Sequence, residues 1–227
     1  MKKLPWSYFT ALFFIIYVFL VFIGEHDPAW FLKPFLMPFL AIKLFFTPYF
    51  SNKKWLLLAL TFSWTGDVLL MFQNLDSFYF IYGLLSFLIA HLCYIYLFSK
   101  LKAFSKFSKQ SWVLLFFLIV YLFSFLSFLF VNGDMNGMHF PIVIYAIVLT
   151  LMLWSAGCLY INKPFAGFDW ILFGAISFVI SDSFLAINKF CAFLDLQNLS
   201  FYVISTYLFS QFAILYGVIH VHRHKFL

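Results

Sequence analysis

The sequence predicts an all-α polytopic membrane bundle of eight transmembrane helices, with both termini on the inner side. Three observations carry this expectation. Hydrophobic residues make up 65% of the 227 residues and charged residues 10%, against roughly 45–50% and about 25% in a soluble domain. The apolar residues are gathered in runs of about 20, the length at which a helix crosses a ~30 Å hydrocarbon layer. The basic residues lie in short connections between those runs rather than in one groove, where they set orientation. A soluble core, a coiled coil, a disordered chain and a nucleic-acid-binding domain are excluded together.

Spans are expected near 6–23, 30–47, 55–72, 78–99, 111–131, 140–161, 168–190 and 199–221. The first follows Lys2-Lys3 and imitates a secretory signal. It is too long for a typical h-region and runs into Gly24-Glu25-His26-Asp27 without a small-x-small cleavage pattern, so a membrane helix is expected. The second begins at Lys33-Pro34, and Pro38 one turn on should loosen its backbone. The remaining spans are divided by Asn52-Lys53-Lys54, Gln73 to Asp76, Lys100 to Gln110, Asn132 to His139, Asn162-Lys163-Pro164 and Asp195 to Asn198. The runs are continuous, whereas a β-barrel strand alternates strictly over about ten residues. No connection is long enough to hold a soluble domain, so residues 1–227 read as one transmembrane domain.

Orientation follows from the lysines. With the N-terminus inside, every Lys and Arg except Lys33 and Lys189 falls on the inner side, while Glu25, Asp27, Asp76, Asp134 and Asp195 fall in outer connections. An eight-span, N-in and C-in topology satisfies the positive-inside bias, and seven or nine spans break it. The expected location is a bacterial cytoplasmic (inner) membrane. Cys93, Cys158 and Cys191 form no C-x-x-C pair and are read as small hydrophobes rather than a disulfide or zinc site. His220, His222 and His224 resemble a metal tract, but beside Arg223 and Lys225 they read first as an inner-surface anchor.

Two acidic residues lie deep inside spans. Asp67 is 13 residues beyond Lys54, and Asp182 is 13 residues beyond Asp169. Both are thus roughly 20 Å from the inner interface, at one depth in the outer half of the core. An ionisable group there costs a few kcal/mol or more and usually faces the bundle interior with a partner. The surroundings repeat as small-Asp-x-x-Leu, in Gly66-Asp67-Val68-Leu69-Leu70 and Ser181-Asp182-Ser183-Phe184-Leu185. The copies stand four spans apart, which suggests two parallel four-helix halves.

Other polar residues can reach that layer. Gly83, Phe87, Ala90, His91 and Tyr94 follow one helical face, as do Tyr207 and Gln211, and Asn188 and Lys189 lie about two turns beyond Asp182. Structural roles compete at each. His91 can be a hydrogen-bonded core residue, Tyr94, Tyr207 and Gln211 can be interhelical glue, and Lys33 can snorkel outward. The aspartates point more firmly to function.

Two carboxyls sharing a low-dielectric site cannot both ionise cheaply, so one acid remains beside one carboxylate. That pair suits acid-catalysed cleavage through a cationic intermediate, one group giving a proton and the other stabilising the cation or activating water. Glycosidases use this logic on acetals, and a vinyl ether is a chemical relative. A transporter or lipid-binding protein could use the same pair as a cation or proton site. No metal or other cofactor is required. A zinc hydrolase would want about three clustered His, Cys or carboxylate ligands, and only His91 is expected to be buried.

The set Lys33-Pro34, Ser63-x-x-Gly66-Asp67-x-Leu69-Leu70, Gly83-x-x-x-Phe87, Ala90-His91-x-x-Tyr94, Pro141, Gly174-Ala175-x-x-Phe178-x-x-Ser181-Asp182-Ser183 and Tyr207-x-x-x-Gln211 resembles the YhhN/TMEM86 family of membrane proteins. The resemblance runs from the second span to the eighth. It implies an eight-span bundle and lysoplasmalogenase activity, hydrolysis of the vinyl ether of a lysoplasmalogen to a fatty aldehyde and a glycerophospho head group. It also implies that Asp67 and Asp182 are the catalytic pair. Lys33 is then expected at the phosphate, with His91, Tyr94, Ser181, Asn188, Tyr207 and Gln211 as supporting or head-group contacts. The expected partners are a lysophospholipid substrate and membrane lipid, not nucleic acid.

Overall fold

A computed structural model describes residues 6–101, 107–135, 137–162, 167–191 and 199–223. Several residues used in the topology argument (Lys2, Lys3, Lys102, Lys106, Lys163, Asp195, His224 and Lys225) lie outside these stretches. The described residues are all-α and include no strand. In chain order the helices are α1 (Trp6–Phe22), α2 (His26–Leu32), α3 (Leu36–Phe45), α4 (Lys53–Met71), α5 (Ser77–Ser99), α6 (Lys109–Asn132), α7 (His139–Asn162), α8 (Phe168–Phe190) and α9 (Leu199–Arg223). A 3-10 turn, Lys33–Phe35, joins α2 to α3 in one bent rod. Seven rods among the described residues are long and apolar enough to cross a membrane, from Asp27–Phe45 to Leu199–Arg223, and the apolar stretch Tyr8–Phe22 is shorter. The chain is a multi-pass integral membrane protein.

The chain divides into two compact units, Met1–Ala90 and His91–Leu227. In the first, the bend follows from two prolines. Pro34 and Pro38 lack the N–H groups that would donate to the carbonyls four residues back, so the ladder breaks and tightens to a 3-10 turn. The Pro34 carbonyl that Pro38 leaves unserved accepts instead from the Trp64 indole N–H of α4, at 2.8 Å. Lys33 therefore lies inside the rod rather than at its start, which corrects the expectation from sequence. The helix begins earlier because Asp27 and Pro28 occupy the first turn of α2, where a carboxylate favours the exposed N–H groups and proline removes no helical bond.

Close approach of α4 and α5 completes this unit. A Cβ on Gly66 would stand 2.6 Å from the Phe87 ring, and one on Gly83 would stand 2.9 Å from the Leu70 side chain. Ser86 of α5 also donates to the Phe62 carbonyl of α4, at 2.8 Å. Glycine at 66 is thus a packing requirement beside Asp67.

In the second unit, Ser108 caps α6 by accepting from the Ser111 N–H at 3.2 Å. The α6–α7 connection is tied back by the Asp134 N–H, which donates to the Phe190 carbonyl at 2.9 Å. Gly167 takes φ +116°, a conformation closed to most side chains, and a Cβ there would crowd the Gly217 carbonyl oxygen at 3.1 Å. Asp169 accepts from the N–H groups of Gly167 and Trp170 and starts α8. Small residues then let α8 lie against α9. A Cβ on Gly174 would come within 2.9 Å of the Ser210 carbonyl oxygen, and Ser177 and Ser181 donate to the carbonyls of Thr206 and Val203. The three cysteines are buried and free. His222, expected in a surface anchor, is buried and donates through Nδ1 to the Val218 carbonyl at 2.8 Å.

Candidate functional site

In the first unit α4 turns Ser63, Asp67 and Leu70 to one buried face, with Asp67 4% exposed. Lys33 and Tyr17 lie within electrostatic range of the carboxyl. The lysine reaches it because the 3-10 bend carries residue 33 inside the rod. A carboxyl in an apolar layer is tolerated where a counter-charge or donor attends it, and Lys33 is a basic side chain within that electrostatic range.

The second unit brings three helices to Asp182. Tyr145 of α7 donates its hydroxyl proton to Asp182 Oδ2. His91 of α5 places Nε2 3.0 Å from the Tyr145 oxygen and 3.6 Å from the same Oδ2. Tyr145 has one proton and gives it to the carboxylate, so its oxygen accepts from His91, and Nε2 carries a hydrogen. The order is His91 to Tyr145 to Asp182. His91 is fully buried, and its Nδ1 has no hydrogen-bond partner among the described residues. Phe178 meets the imidazole edge-on at 4.6 Å and fixes the ring plane.

Beside Asp182 a second tyrosine crosses between helices. Ser183 donates to the Val179 carbonyl at 2.6 Å, so the Tyr121 hydroxyl of α6 is the donor in its 2.6 Å bond to Ser183 Oγ. Asp182, Ser183, Tyr121 and Tyr145 line an apolar cleft of about 430 Å³ between α6, α7 and α8.

The other expected residues divide. Tyr94 donates to Gln211 Oε1 at 2.6 Å, with both side chains fully buried. Tyr207 packs edge-on against Phe178 at 5.6 Å and so backs the ring that holds His91. Ser181 turns to the Val203 carbonyl rather than to the cleft, and Asn188 is exposed. Tyr145 and Tyr121 were not singled out from sequence. Their signal was faint: each is a hydroxyl inside an apolar run, and Tyr145 stands one turn beyond the Pro141 of the motif set. Among the described residues no group of three or more His, Cys, Asp or Glu is placed to hold a metal ion.

A family model described as the YhhN family matches residues 28–218. The chain belongs to the YhhN family. The matched segment contains Lys33, Asp67, His91, Tyr145 and Asp182, so both carboxyl clusters of this YhhN protein are family territory. It is 31% identical over 140 residues to the human protein named lysoplasmalogenase TMEM86A, a match that covers 59% of this chain and 52% of that protein. The YhhN chain thus spans about half the length of that curated relative. No solved structure matches it.

Proposed function

We propose that this YhhN-family chain is a lysoplasmalogenase-type hydrolase of eight transmembrane helices, N-in and C-in. It would cleave the vinyl ether of a single-chain alkenyl glycerophospholipid. The observation that carries this function is a part-buried hydrogen-bonded carboxyl, Asp182 with Tyr145 and His91, set on the wall of an apolar cleft. Acid chemistry on a lipid needs that combination: a dry place for the chain and one titratable oxygen beside it. The name of the human relative points the same way.

In the proposed reaction a carboxylic acid gives a proton to the alkene carbon remote from the ether oxygen. The C=C electron pair forms the new C–H bond, and the neighbouring carbon becomes an oxocarbenium stabilised by the other carboxyl, as carboxylate. Water adds to that carbon and gives a proton to the carboxylate. The hemiacetal then collapses: the first carboxylate takes its O–H proton as the C=O bond forms, the second carboxyl protonates the glycerol oxygen, and the C–O bond to glycerol breaks to leave a fatty aldehyde and the glycerophospho head group. One water is consumed and the enzyme's protons are restored. Asp67 and Asp182 divide the acid and base roles, as their equal depth in the sequence suggests. Tyr145 and His91 hold Asp182 in position, and Lys33 serves the first carboxyl or the substrate phosphate. No step passes through a metal.

The test is aldehyde release from a defined lysoplasmalogen by purified protein, compared with Asp67→Asn and Asp182→Asn. Turnover by wild type with a loss of roughly 10²–10⁴-fold in each folded variant supports the carboxyl pair. A folded wild type that releases no aldehyde from either the ethanolamine or the choline form overturns the substrate. It would redirect the carboxyls to an ion or proton site.

A further inference from the structure

We propose that the cleft between α6, α7 and α8 is the binding site for the substrate's single hydrocarbon chain, entered sideways from the membrane past Tyr121. This site presupposes the ether-lipid function proposed above and adds where the chain lies and how it arrives.

Four observations carry it. The lining is one stripe from each helix, 121–129 on α6, 142–150 on α7 and 179–186 on α8, so the cleft extends about 12 Å along the helix axes. The three stripes lie at matching distances from the ends Asn132, His139 and Phe190, so they face one another along their whole length. The polar groups of the lining are engaged internally. Thr150 donates to the Ala146 carbonyl, Ser183 to Val179, Tyr121 to Ser183 and Tyr145 to Asp182. The Asp182 carboxyl keeps the charged acceptor of the lining: the Tyr145 hydrogen bond and the 3.6 Å His91 contact both go to Oδ2, and Oδ1 takes part in neither. A wall that is apolar apart from one carboxyl and four hydroxyls whose protons are already donated within the protein matches a long alkyl or alkenyl chain whose polar atom is a weakly hydrogen-bonding ether. It does not match a sugar, a nucleotide or a peptide, each of which would bring many donors and acceptors with no partners.

The entry route follows from exposure. The outer wall is α6, whose buried residues are Ser111 and Leu129 alone, so most of its surface faces lipid. Tyr121 is 39% exposed, and its bond to Ser183 spans α6 and α8 beside Asp182. A chain already dissolved in the bilayer reaches the cleft at that crossing without passing through water.

The experiment uses the full chain in lipid nanodiscs and a lysophospholipid with a saturated alkyl ether chain bearing a mid-chain diazirine. This probe lacks the vinyl group and is not cleaved. Photolabelling that saturates and is displaced by unlabelled alkyl lysophospholipid is expected within 121–129, 142–150 and 179–186. Ala146→Phe, which fills the cleft, should reduce it at least tenfold. Leu126→Ala, which only enlarges the cleft, should shift the preferred competitor to a longer chain. Displaceable labelling that falls elsewhere, or that is unchanged in folded Ala146→Phe, overturns the tail site. If Ala146→Phe does not fold, an unchanged chain-length profile in Leu126→Ala overturns it instead. Correct labelling without aldehyde release from the vinyl-ether lipid would leave the tail site standing and remove only the proposed hydrolysis.

Discussion

The hydroxyl of Tyr145 donates to Oδ2 of Asp182 and so ties α7 to α8 at the carboxyl that lines the cleft. The same hydroxyl oxygen receives His91. Asp182 is therefore held from two helices besides its own.

Tyr145→Phe removes the donor while keeping the ring. A hydrogen bond to a charged group is worth about 1.5–3 kcal/mol, so aldehyde release should fall by roughly tenfold to a hundredfold. His91→Phe should act in the same direction through Tyr145. Steady-state rates on one lysoplasmalogen check both, and an unchanged rate in Tyr145→Phe removes the positioning role.

The two carboxyl variants should differ in stability. Asp182→Asn is expected to lose activity with little change in unfolding, because the amide oxygen still accepts from Tyr145, whereas Asp67→Asn should lose activity and also unfold earlier, because it takes the carboxylate away from Lys33. Thermal unfolding in detergent beside the activity assay measures this. Addition of a chelator should leave wild-type turnover unchanged, since the carboxyl pair needs no metal; inactivation by chelation would count against it.

Gly66→Ala should destabilise the first unit by about 1–3 kcal/mol, the usual range for overpacking a tight contact, because its Cβ would sit 2.6 Å from Phe87. The double variant Gly66→Ala with Phe87→Leu should recover part of that loss. Non-additivity in a double-mutant cycle is the readout, and strict additivity would show that the ring is not the obstacle.

Trp64→Phe removes the indole donor from the Pro34 carbonyl and should cost about 1 kcal/mol. Pro38→Ala supplies a backbone N–H that can serve the same carbonyl, so Trp64→Phe should cost less in that background. Equal losses in both backgrounds would mean that the indole bond does not hold the bend.

Much of this protein is legible before any coordinates. Lipid offers no hydrogen bonds to a backbone, so an apolar run of about 20 residues must be a helix, and the described helices fall close to where hydropathy puts them. The aspartates are legible for the same reason, since an ionisable group inside such a run needs a purpose. The bend at Lys33 was half legible: Pro34 and Pro38 announce a disrupted ladder, but not that the helix starts at His26 and brings the lysine near Asp67. Tyr145 and Tyr121 were hidden because a tyrosine in an apolar run is unremarkable by composition. Whether its hydroxyl matters depends on which face of the helix meets which neighbour. His91, Tyr145 and Asp182 are 54 and 37 residues apart in sequence. Solvation by lipid acts on each residue separately and is written in the order of residues. Hydrogen bonds across helices depend on rotation and depth of several rods at once, and only the tertiary packing decides them.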